Sequence, residues 1–169
     1  MTLITPEYRD LNAELHQRVP AYGTGGHKWA DVVRGLVLET GAKSVLDYGC
    51  GKGTLRQALR PITVHEYDPA VAGKETPASS AGIVVCTDVM EHVEPACTDA
   101  VIAHLVTLAS RAVLVAVSCR VGGKRLADGR PAHINVQPQA WWHERFTAAA
   151  PFEQLASGED EYVALWVRR

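Results

Sequence analysis

Two hydrophobic patterns alternate along this chain: the three-and-four spacing of a helix face and the short unbroken run of a buried strand. Residues 8–18 carry Leu11, Ala13 and Leu15 at weakly helical spacing and stop at Pro20. In 28–38, Trp29, Val32, Val33, Leu36 and Val37 predict an amphipathic helix that ends before Gly41. SVLDY (44–48), ITVHEY (62–67), GIVVC (82–86) and RAVLVAVS (111–118) predict four buried strands. Helices are expected at 54–60, from near Val89, at 96–110 and at 141–149, and the runs 152–156 and 162–167 flank the turn residues SGEDE as a hairpin does. Strands alternating with helices imply an α/β doubly wound, mostly parallel sheet, closed by an antiparallel C-terminal hairpin. No element is expected between 69 and 82, which leaves a link without helix or strand after the second strand.

Composition narrows the function classes. The chain has 169 residues, 47% hydrophobic, and 17 Lys plus Arg against 19 Asp plus Glu for a formal charge of −2. That fits one globular domain over 1–169, with an N-terminal helix and lid (1–27) before the core (28–169). The charge balance excludes a strongly basic nucleic-acid binder, although a local basic patch stays open. No apolar run reaches membrane-spanning length, and the first ten residues lack the pattern of a signal peptide, so no membrane partner is expected. Cys50, Cys86, Cys97 and Cys119 form no C-x-x-C pair, which suits a reducing cytoplasm better than a disulfide framework or zinc ribbon.

The strongest motif is Val45-Leu46-Asp47-Tyr48-Gly49-Cys50-Gly51-Lys52-Gly53. A strand that ends in glycines and feeds a helix lets the backbone approach a ligand at the carboxyl edge of the sheet. A dinucleotide fingerprint needs its third glycine where Thr54 stands, and a phosphate-binding P-loop needs Ser or Thr where Gly53 follows Lys52. Asp47, two residues before the first glycine, suits an ammonium group and not a pyrophosphate. Asp68, 19 residues after Gly49 at the end of the second strand, is placed to accept hydrogen bonds from ribose hydroxyls.

With those residues in view, the chain resembles the class I S-adenosylmethionine-dependent methyltransferases, whose fold is Rossmann-like. VLDYGCGKG resembles their glycine motif, EYDPA their ribose-binding acid and IVVCTDVMEHVEP the segment after the next strand. The likeness covers 28–118 with specific motifs and the ends more loosely. It implies S-adenosyl-L-methionine as cofactor, held by Asp47, Tyr48, Gly49, Gly51 and Gly53 at its methionine end and by Asp68, Pro69 and Thr87 around its nucleoside, with Asp88 near the methyl group or the adenine. One departure stands out: family members carry a further helix and strand where this chain has fourteen residues, 69–82, with Glu75 as their single carboxylate. An adenine-binding acid is therefore not in evidence.

Asp88, Glu91 and His92 occupy i, i+3 and i+4, one face if the segment is helical. With His133 they make a candidate catalytic and metal set, similar to that of small-RNA 2′-O-methyltransferases, for Mg²⁺ or another divalent ion. Metal-free chemistry with His92 or His133 as base is the alternative. In the loop 119–138, Arg120, Lys124, Arg125 and Arg130 face a lone acid, Asp128, and would attract an anionic acceptor. DGRPAH with the downstream NVQPQAWW is similar to small phage-type family members, which would place the protein in a host cytoplasm. Tyr22, His27, Arg130, His133 and Trp142 are the acceptor candidates, and 22–29 the candidate lid. The reaction expected is methyl transfer to an oxygen or nitrogen of a small anionic metabolite, a nucleotide or a nucleic-acid end. The alternative is a module that binds S-adenosylmethionine or S-adenosylhomocysteine without turnover.

Overall fold

The computed structural model describes residues 2–168; the outermost positions of the single domain expected over 1–169 lie outside them. Helix α1 (Pro6–Arg18) starts on Thr5, whose side chain accepts from the Tyr8 amide and whose own N–H and hydroxyl are held by Glu94 at 2.8 Å each. A 3-10 turn (Gly25–Trp29) leads into α2 (Ala30–Thr40), which ends on Gly41 at φ 63°. Strand β1 (Val45–Tyr48), helix α3 (Thr54–Ala58), β2 (Val64–Tyr67) and β3 (Ala81–Thr87) follow. Helix α4 (Thr98–Leu108), β4 (Ala109–Ser118), α5 (Gln139–Ala149), β5 (Glu153–Gln154) and β6 (Glu161–Val167) complete the chain.

The sheet order is β2-β1-β3-β4-β6-β5, with the first four strands parallel and the last two antiparallel. The register explains the layers. Val45, Ile83, Val85, Ala112 and Leu114 point to one face and pack on Val33 and Leu36 of α2 and Leu55 of α3. Leu46, Val84, Cys86, Val113 and Val115 point to the other and meet Val101, Ile102 and Leu105 of α4 and Trp142 and Phe146 of α5. A third, smaller cluster joins Tyr8 and Leu15 of α1 to Leu126 and Ala132, so α1 sits on the loop 119–138. No helix among the described residues is long and apolar enough to cross a membrane.

The expected sheet and its closing hairpin are present, and residues 69–80 carry neither helix nor strand. One expectation fails. Residues 89–97 do not form the start of a helix: Asp88 stands at φ 56°, Met90–His92 is a single 3-10 turn, and a second such turn at Pro95–Cys97 precedes α4. Asp88, Glu91 and His92 therefore do not share a helix face.

Candidate active site

A cavity of about 600 Å³ opens at the carboxyl edge of β1, β2 and β3, a size suited to a small ligand. Its floor is the glycine loop. Gly49 at φ 77° and Gly51 at φ 49° hold conformations that L side chains avoid, and a Cβ on Gly51 would lie 2.5 Å from the Gly23 carbonyl. That contact is part of a seam in which Lys52 N–H donates to Gly23 O at 2.8 Å and Lys52 Nζ to His16 O at 2.8 Å. The segment expected as a lid thus lies against the glycine loop.

At the end of β2, Asp68 is 6% exposed and accepts the Gly51 amide at 3.0 Å and the Ala70 amide at 2.9 Å. Each oxygen keeps a further lone pair, and Asp68 lines the cavity with Tyr48, Gly49, Gly51, Pro69 and Asp88. Asp47 does not. Its side chain points to the α2 and α3 face beside Glu66 and Lys74, Oδ2 has no partner, and burial, reinforced by Glu66, pushes the carboxyl up to about 7. Asp47 is therefore not a direct ligand contact in this geometry. Gly53 and Thr87 also stay outside the cavity wall; Gly53 faces Glu66 and Lys74.

Across the cavity the chain gathers Glu91, His92 and His133, each offering a ligand atom within 4.8 Å of the others. The loop 119–138 is held there by Asn135 N–H to Glu91 O at 3.0 Å and by His92 Nδ1–H to Ala132 O at 2.8 Å. His133 Nδ1–H donates to Arg120 O at 2.8 Å, with the ring over Gly122, where a Cβ would clash. A carbonyl can only accept, so both rings carry their proton on Nδ1 and keep the Nε2 lone pair for a ligand or a proton. Burial, with His133 adding to it, lowers His92 to about 3, so the ring is neutral at physiological pH.

Glu91 accepts the Ser118 amide on Oε1 at 3.3 Å while Oε2 is buried without a partner, and burial pushes its carboxyl up to about 8. An orphaned carboxylate oxygen beside two fixed imidazole nitrogens fits a divalent cation. Asp88 lines the cavity but falls outside the three-residue cluster. Its φ of 56° follows from the turn that aims its side chain toward Gly25.

The acceptor candidates separate cleanly. Tyr22 lines the cavity, its hydroxyl 3.2 Å from His92 Nδ1 and 3.3 Å from Asn12 Oδ1. His27 does not; its Nδ1 contacts Thr24 O at 2.9 Å on the exposed side. Arg130 is drawn away by Asp128 at 2.6 Å and Glu7 at 4.0 Å. Trp142 is fully buried among Phe146, Tyr162 and α4 residues, so it is core and cannot stack on an acceptor. Among the polar wall residues, Asn12 and His16 of α1 were not singled out as candidates, and Lys28 was named only as part of the lid segment. The spacing of α1 has too little apolar contrast to mark which of its faces meets a cavity.

Comparison with protein-family models finds no match, and comparison with curated protein sequences finds none. Solved structures match well in fold. The DhpI–S-adenosylhomocysteine complex aligns with TM-score 0.65 and 16% identity over 95% of this chain and 96% of its own. Burkholderia thailandensis 1,6-didemethyltoxoflavin-N1-methyltransferase, solved with 1,6-didemethyltoxoflavin and S-adenosylhomocysteine, aligns with TM-score 0.63 and 16% identity over 100% and 92%. Magnesium protoporphyrin IX methyltransferase from Synechocystis PCC 6803, solved with bound S-adenosylmethionine, gives 0.56 and 18% over 85% and 79%. The chain has the class I S-adenosylmethionine-dependent methyltransferase fold.

Proposed function

We propose that this chain is an S-adenosylmethionine-dependent methyltransferase acting on an oxygen or nitrogen of an anionic acceptor. One observation carries the reading: a single cavity joins the glycine loop and Asp68 to the Glu91, His92 and His133 cluster. Asp68 would hold the ribose, and Gly49 and Gly51 would admit the methionine end against bare backbone. The cofactor supplies an electrophilic sulfonium methyl group. Transfer is an in-line displacement, so the protein's task is alignment and removal of the acceptor proton.

The free Nε2 atoms of His92 and His133 are the bases on offer. Glu91, His92 and His133 would hold a divalent ion, which supplies Lewis acidity toward an acceptor hydroxyl. Two nitrogens with one carboxylate favour Mn²⁺, Co²⁺ or Zn²⁺ over Mg²⁺. At the mouth, Lys28, Arg120 and Lys124 make no ion pair among the described residues, unlike Arg130. They would draw a phosphate or carboxylate of a metabolite, a nucleotide or a nucleic-acid end.

The test is release of S-adenosylhomocysteine from a panel of nucleotides, oligonucleotides, hydroxy acids and phenols, each with Mn²⁺, Co²⁺, Mg²⁺ or chelator. Turnover on an anionic member, stimulated by Mn²⁺ or Co²⁺, supports the reading. The helix- and strand-free 69–80 segment favours a second one, binding without turnover. Cofactor binding with silence across the whole panel would establish that instead.

A further inference from the structure

We infer that His16, from α1, binds the nucleoside cofactor directly and forms with Asp68 a clasp for one ribose hydroxyl. The inference rests on the cofactor reading proposed above. His16 is 9% exposed, lines the cavity and lies in the last turn of α1, outside the glycine motif and the Asp68 segment.

The surroundings fix the ring without satisfying it. Tyr22 packs on one face at 4.5 Å between centroids, and Gly23 makes room for the other edge, since a Cβ there would be 2.7 Å from His16 Cε1. The backbone carbonyl of His16 is anchored by Lys52 Nζ at 2.8 Å. Yet Nδ1 is buried without a partner, and Nε2 stands 4.0 Å from Asp68 Oδ2, too far for a hydrogen bond. Nε2 and Asp68 Oδ2 thus face each other along the cavity wall without bonding, a donor and an acceptor that a ligand hydroxyl between them would join.

The gap has the width of one hydroxyl. An oxygen about 2.7 Å from both atoms spans 4.0 Å with an angle of about 95° at the oxygen, within hydrogen-bonding geometry. It would accept from His16 Nε2–H and donate to Asp68 Oδ2. Asp68 already takes the Gly51 and Ala70 amides, so an added donor on the far side of the hydroxyl gives the diol a second anchor that the carboxylate alone cannot provide. Nδ1, the unprotonated nitrogen of the neutral ring, lies against Gly23 and takes no part in the clasp.

The test is calorimetric titration of the full chain with S-adenosylhomocysteine and with its 2′-deoxy and 3′-deoxy analogues. His16→Leu should weaken S-adenosylhomocysteine binding by about 10-fold or more, while His16→Gln, which puts an amide N–H near the Nε2 position, stays within about threefold. For one deoxy analogue the wild type should lose more than His16→Leu does, because the variant has only the Asp68 bond to that hydroxyl left to lose, a coupling that a merely structural role would not produce. Wild-type-like binding by His16→Leu, strictly additive losses, or a wild type indifferent to both missing hydroxyls would overturn the clasp. Failure of the wild type to bind S-adenosylhomocysteine at all would instead overturn the cofactor reading, and this inference with it.

Discussion

Asp47 holds its proton because β1 buries it beside Glu66, and the carboxyl is pushed up to about 7. The unfolded chain releases that proton near the ordinary value of 3.8. Between those limits the folded state binds more protons, so this group's contribution to stability falls as pH rises through the window. Buried His16 and His92, lowered below 6.5, act in the opposite direction in acid, so comparison with a variant isolates Asp47. Asp47→Asn should gain on the wild type in unfolding free energy between pH 5 and pH 7.5, by an amount on the order of 2 to 4 kcal/mol, read by denaturant unfolding. A pH-independent difference between the two proteins would contradict this.

Glu91 is the other buried acid, and its orphaned Oε2 is the feature on which the proposed metal site rests. Glu91→Gln keeps a group to accept the Ser118 amide but cannot give up a proton to become an anionic ligand. Mn²⁺ affinity measured by calorimetry should fall by at least about 100-fold with little change in melting temperature. Undiminished affinity would remove Glu91 from the ligand set. Asp68, Glu91 and His92 were legible in sequence because a strand end or a short motif marks each. His16 was not, because nothing in the spacing of α1 tells a cavity histidine from a surface one.

At the scale of elements, the loop 119–138 is divided by its own hydrogen bonds. Asp128 captures Arg130, and Arg125 donates to Gly129 O at 2.9 Å, which leaves Arg120 and Lys124 at the cavity with Lys28. Arg120→Ala or Lys124→Ala should raise acceptor KM by about 5- to 50-fold, more at low salt than at high, while Arg130→Ala leaves it unchanged. Equal effects from all three would show a diffuse surface field in place of a site. Sequence spacing showed the basic loop but not its division, since pairing depends on the turn that brings Asp128 back onto Arg130. Helix α5 posed a similar question: Trp141 and Trp142 diverge by about 100°, and periodicity alone does not say which is inside. Trp142→Ala should cost about 3–5 kcal/mol of stability and leave acceptor KM unaltered in the protein that remains folded. The expected helix from Val89 gave way to a 3-10 turn because Asp88 adopts φ 56° and Pro95 starts a separate turn.

For the molecule as a whole, the strand alternation and the terminal hairpin carried the fold into view from sequence, and the missing elements at 69–80 were visible as an absence of pattern. The cavity was less visible, because α1 and the loop 119–138 close it from opposite ends of the chain through contacts such as Tyr8 Oη to Ala132 O at 3.4 Å. The central claim is that this cavity is a nucleoside-cofactor site built on Asp68 and the glycine loop. The most direct measurement is calorimetric titration of the full chain with S-adenosylhomocysteine, alongside Asp68→Asn. The account predicts one site per chain at micromolar affinity in the wild type and a loss of about 10-fold or more in the variant. No binding by the wild type at millimolar ligand, or equal binding by both proteins, would contradict it.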